Sequence, residues 1–126
     1  MKDVVLFLGF LILPFLYWRG LFLVMRRTFD RPFLRARTGL QVHHLHFGVV
    51  AVAISALILV TWGKGFLCLA FLGLGLGLIL DEFLPSLQMP GNRPLELELY
   101  RRTLWPTLAL FAAVGLTALG LYLLHG

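Results

Sequence analysis

Residues 43–83 read HHLHFGVVAVAISALILVTWGKGFLCLAFLGLGLGLILDEF. Two apolar runs flank the tight turn Gly63-Lys64-Gly65, and polar residues close both far ends. A helix needs about 20 apolar residues to cross a hydrocarbon core about 30 Å thick. The run from 47 to 63 offers 17 residues and the run from 65 to 80 offers 16. Each helix must therefore draw its terminal polar residues to the edge of the bilayer or slightly inside it. A connection this short makes the two helices antiparallel neighbours. Folding about Lys64 puts equidistant positions at one depth, and His46 and Glu82 each lie 18 residues from it. The spacing thus predicts that His43, His44 and His46 stand within about a helical turn of Asp81 and Glu82.

Further spans are read outward from this pair, giving four in all: 4–25, 44–62, 66–83 and 103–124. Pro14 should kink the first span, and Arg19 is close enough to its end to snorkel toward the headgroups. The start resembles a signal peptide, but Tyr17-Trp18-Arg19-Gly20 replaces a small-residue cleavage site, so the segment is read as a retained helix. Trp18, Trp62, Trp105 and Tyr100 fall near span ends, where amphipathic rings favour the membrane interface. The small-residue pairs Gly73/Gly77, Ala51/Ser55 and Ala109/Ala113 predict close helix packing.

The composition agrees. The 126 residues are 60% hydrophobic with a mean hydropathy of +0.90. That excess excludes a soluble enzyme, a disordered chain and a disulfide scaffold, because so small a domain has too much surface to hide it. Cys68 is the single cysteine, which excludes an internal disulfide and a cysteine-based zinc site. The expected fold is an all-α membrane protein, one polytopic domain of four transmembrane helices.

Arginines set the topology. Arg26, Arg27, Arg31, Arg35 and Arg37 follow the first span, and Arg93, Arg101 and Arg102 follow the third, whereas the opposite side carries Lys2 and Lys64. The positive-inside rule makes both arginine loops cytoplasmic and the protein N-out/C-out. Residues 26–42 mix Phe29, Phe33 and Leu34 with arginines and read as an interfacial segment. Residues 95–100 alternate leucine with glutamate or tyrosine, which suits a short extended stretch, with a helix start after Pro94 as the alternative. The net charge of +5 then reports topology and contact with anionic lipids, not nucleic acid. The setting is an integral protein of a bacterial or archaeal cytoplasmic membrane, with the polar cluster facing the cytoplasm.

The cluster carries the chemistry. His43 and His46 share a helical face, and His44 points about 100° away. Histidines at a helix start and acids at a helix end both oppose the helix dipole, and a cation held between them would relieve both. Imidazole with carboxylate suits Zn²⁺, Mn²⁺ or Fe²⁺. The expected divalent-metal ligands are His43, His46, Asp81 and Glu82. The catalytic group is Asp81, Glu82 and His44, with the acid that is not a ligand as general base. Arg35, Arg37, Arg93, Arg101 and Arg102 are the candidates for holding a phosphate headgroup. Glu96 and Glu98 would share one face of an extended stretch.

These residues support a membrane-embedded metal-dependent hydrolase or transferase acting on a lipid or lipid-linked substrate. A small oligomeric transporter that moves protons or cations through the same cluster is the alternative, and it implies a homo-oligomer. A non-enzymatic helper subunit that packs through its glycine faces is the third reading.

Overall fold

The computed structural model describes residues 1–24, 44–88 and 93–125, with the backbone alone for 93–97. Helix α1 is Lys2–Val24, α2 His44–Thr61, α3 Phe66–Leu87, α4 Arg93–Arg102 and α5 Leu104–His125. By length and composition α1, α2, α3 and α5 are each able to cross a membrane. The described residues are thus all helical, with four helices able to span a membrane, as the hydropathy predicts, and they suggest an integral membrane protein. The expected interfacial segment lies outside the described residues.

Two boundaries differ from the sequence reading. The third span does not stop at Phe83 but runs through Pro85 to Leu87. A proline inside a helix removes the N–H that would serve the carbonyl four residues earlier, here that of Asp81. Arg19 supplies the missing donor, as described below. Residues 95–100 are helical rather than extended, within α4. A helix places Arg101 three residues from Glu98, and the two form a surface ion pair at 2.8 Å.

Helix α3 is the centre of the bundle, and its glycines explain why. In Gly73-x-Gly75-x-Gly77, the outer two share a helical face and the middle one looks the other way. A methyl group on Gly73 would lie 2.7 Å from Phe10 Cβ and 2.9 Å from the Phe7 carbonyl oxygen, and one on Gly77 would run into the Leu11 carbonyl oxygen. Both glycines therefore let α1 approach to backbone contact. On the opposite face a methyl on Gly75 would sit 2.8 Å from the Gly48 carbonyl oxygen, and one on Gly48 would sit 2.6 Å from that of Gly75. This crossing joins α2 to α3. Farther along, the Ser55 hydroxyl donates to the Cys68 carbonyl at 2.8 Å, with both residues buried. The turn between the two helices rests on Gly63, whose φ of +85° is the left-handed region open to glycine.

Ala109 and Ala113 are exposed on α5 and do not form a close crossing. Instead α5 packs through Phe111, whose ring lies 5.0 Å from that of Phe15. Leu11, Phe15 and Phe111 form the buried apolar core. An aromatic pair holds the backbones too far apart for small residues to meet. The same packing carries Thr107, one turn before Phe111, to a fully buried position against α1 and α3.

Candidate functional site

Asp81 is 0% exposed and each of its carboxylate oxygens is engaged. It lies 15 residues into α3, so about 22 Å from the Phe66 end, which is short of the far edge of a hydrocarbon core of about 30 Å. Arg19 Nε donates to Oδ1 at 2.7 Å. The Tyr100 hydroxyl donates to Oδ2 at 2.6 Å, and His44 Nε2 stands 2.8 Å from the same oxygen. His44 Nδ1 faces Glu82 Oε1 at 3.3 Å. The two carboxylates thus meet opposite nitrogens of one imidazole.

Arg19 is the keystone. It is 4% exposed and does not snorkel. Beyond Oδ1 it donates to the Asp81 carbonyl at 3.2 Å and to Thr107 Oγ1 at 3.3 Å, and through a further N–H to the Tyr100 carbonyl. The first of these is the carbonyl that Pro85 leaves without a helical donor. The Tyr100 carbonyl, near the end of α4, also accepts from Thr103 Oγ1 at 3.1 Å. A guanidinium carries five donors in a planar fork, which suits this set of acceptors. Its carbon also lies 3.6 Å from the centroid of the Tyr100 ring, a cation–π contact. The spacing predicts the acids at a helix end, against the dipole, but α3 continues six residues past Asp81, beyond the reach of a last-turn effect; the cation beside Asp81 is this side chain.

Every described helix contributes: Trp18 and Arg19 from α1, His44 from α2, Asp81 and Glu82 from α3, Tyr100 from α4 and Thr107 from α5. Trp18 stacks on His44 with the ring planes 5° apart and the centroids 5.0 Å apart. Phe22 and His44 meet Tyr100 edge to face, at 5.1 and 6.3 Å. Burial, then the charge of Asp81, raises the phenol pKa of Tyr100 far above its usual value, so the hydroxyl stays a donor. Replacing Tyr100 with Phe keeps the ring contacts and deletes one bond to a carboxylate. The expected cost is about 1.5–3 kcal/mol, read from thermal unfolding in detergent micelles; a loss within error would remove Tyr100 from the site.

The sequence-derived candidates divide as follows. His44, Asp81 and Glu82 come together. His46 is exposed; a pivot at Lys64 would set it opposite Glu82, whereas the contact of His44 with Asp81 puts the pivot at Trp62-Gly63. His43, Arg35 and Arg37 lie outside the described residues. Arg93 lies in α4 with its side chain not described, and Glu96 likewise. Arg101 and Arg102 are exposed, and Arg101 is held by Glu98. Arg19, Tyr100, Trp18 and Thr107 were not read as site residues. Arg19 carried a signal, as the basic residue inside an apolar span, and so did the placement of Pro85 four residues after Asp81.

Asp81 and Glu82 address different nitrogens of His44, and His43, an expected metal ligand, lies outside the described residues. Among the described residues no group of three or more His, Cys, Asp or Glu converges as a metal-holding set. What the arrangement can do is hold and move a proton. Asp81 accepts from Arg19 and Tyr100, so an N–H at His44 Nε2 completes its shell. A neutral imidazole then leaves Nδ1 bare against a carboxylate oxygen. The other tautomer moves the same conflict to Asp81. In either case one proton beyond the neutral ring is needed to join His44 to both acids.

No protein-family model matches the chain, and a search of curated proteins and of solved structures likewise found no match.

Proposed function

We propose that this chain is a proton-binding membrane protein of the transporter class, with the proton held between His44 and Glu82. The observation that carries this reading is the imidazole flanked by two carboxylates, Asp81 on Nε2 and Glu82 on Nδ1. One proton beyond the neutral ring lets His44 be hydrogen-bonded to both acids at once. The proton has two resting places. On Nδ1 it forms an imidazolium that donates to both carboxylates; on Glu82 it forms a carboxylic acid that donates to Nδ1. Such exchange is reversible and consumes no other reactant.

Ionisable groups at membrane depth are expensive to keep and by default mark proton or ion pathways. Because every described helix meets at this point, a change of one charge there bears on the packing of all of them, which is how a bound proton can be coupled to a change of conformation. The positive-inside rule, applied to the arginine-rich loops, supports an N-out/C-out topology with the cluster toward the cytoplasm. A metal-dependent hydrolase or transferase has less support, since its ligand set asks for His46 beside Asp81. It would need His43 to complete a different set.

Difference infrared spectroscopy on the protein in lipid nanodiscs, stepped in pH, tests the reading. Wild type is expected to show one carboxylic C=O band and the imidazole ring bands changing together. Glu82→Gln should delete the carboxylic band and keep the ring bands, and His44→Gln should delete the ring bands. Persistence of all the wild-type carboxylic and ring difference bands in both Glu82→Gln and His44→Gln would overturn the proposal.

A further inference from the structure

We infer that Trp18 is the positioning residue of this proton site: its indole face, laid on the His44 ring, fixes the plane in which one nitrogen meets Asp81 and the other Glu82. The inference rests on the proton-site reading and adds the means by which the imidazole is held.

The geometry is specific. An interplanar angle of 5° at a centroid distance of 5.0 Å is an offset parallel stack, one of the arrangements that aromatic rings favour. The hydrogen bonds of His44 lie in the plane of its ring, so rotation about the Cβ–Cγ bond is the motion that breaks them. A half turn about that bond would carry Nδ1 away from Glu82 and Nε2 away from Asp81. The indole covers one face of the imidazole, and the Tyr100 ring meets it at 81°. Together they fix the plane of the ring, and within that plane the two carboxylates select the orientation. A flat, polarisable indole face tolerates both the neutral ring and the imidazolium, so the stack can persist through proton exchange.

The chain order gives a second reason. Trp18 and Arg19 are adjacent, and they organise the two oxygens of one carboxylate: Arg19 binds Oδ1 directly, and Trp18 holds the imidazole that meets Oδ2. Trp18 is half-buried and turned to His44, and so does more than anchor the span at the interface. Among the described residues, the charged and titratable groups around His44 are Arg19 from α1, Asp81 and Glu82 from α3 and Tyr100 from α4; α5 contributes the uncharged Thr107.

Nitrogen-15 NMR of histidine-labelled protein in nanodiscs tests this. In wild type the carbon-bound ring protons of His44 should be shifted upfield by the indole, and both ring nitrogens should show carboxylate-bonded shifts. Trp18→Leu should move both nitrogen signals from their carboxylate-bonded shifts toward those of a solvated imidazole, and Trp18→Phe should restore them. If wild type lacks the upfield shift, the positioning role is overturned whether or not the variants fold. If Trp18→Leu leaves the nitrogen signals unchanged, or Phe fails to restore them, it is overturned as well. If the wild-type nitrogens are not carboxylate-bonded at all, the proton-site reading fails instead.

Discussion

Arg19→Leu should destabilise the folded bundle by about 3–5 kcal/mol, the cost of removing one partner from a buried ion pair. The variant strands Asp81, which is 0% exposed, with an uncompensated charge. It also leaves the Asp81 carbonyl without a donor, because Pro85 cannot provide one. Arg19→Lys should recover only part of the loss, since a point charge with three donors cannot serve Oδ1, two carbonyls and Thr107 from one position. The double variant Arg19→Leu/Asp81→Leu should be more stable than Arg19→Leu alone, because it removes the stranded charge. Reversible unfolding in mixed micelles, followed by circular dichroism, measures all three. A loss below about 1 kcal/mol for Arg19→Leu is what an exposed, snorkelling arginine would give, and would contradict the buried geometry.

Hydropathy made much of this fold legible. Four spans, an antiparallel pair around a glycine turn and the meeting of a histidine group with an acid pair all follow from counting residues against the thickness of a bilayer. What counting does not contain is helix rotation. A pivot at Lys64 sets His46 opposite Glu82, whereas in the structure the pivot is Trp62-Gly63 and His44 is the histidine that meets both acids. Nor does it contain the identity of the third neighbour. Arg19 sits near enough to a span end that snorkelling and burial read alike, and packing of α1 on the glycine face of α3 decides between them. Trp18 and Tyr100 were equally ambiguous, since an aromatic ring near a span end can anchor at the interface or turn inward. The alternation in residues 95–100 was a weaker guide than the Glu98–Arg101 spacing, and a helix is what carries Tyr100 to the site.

The glycine face and the ionic site are coupled, and Gly77→Val should show it. Gly77 lies one helical turn before Asp81 on α3. A Cβ there meets the Leu11 carbonyl oxygen and comes within 2.9 Å of the Pro14 ring. Backbone and proline ring cannot yield as a flexible side chain does, so α1 must move away. The gain in helix propensity from losing a glycine, under about 1 kcal/mol, is outweighed by overpacking of about 1–3 kcal/mol. Displacing α1 also lengthens the reach from Arg19, two turns beyond Leu11, to Asp81, so the loss extends beyond the crossing itself. The decisive measurement is a double-mutant cycle. With the helices already parted, Arg19→Leu should cost much less in the Gly77→Val background than in wild type, a coupling of about 1–3 kcal/mol. If the two losses add to within about 0.5 kcal/mol, the glycine face and the ion pair are independent, and close approach of α1 to α3 is not what holds Arg19 on Asp81.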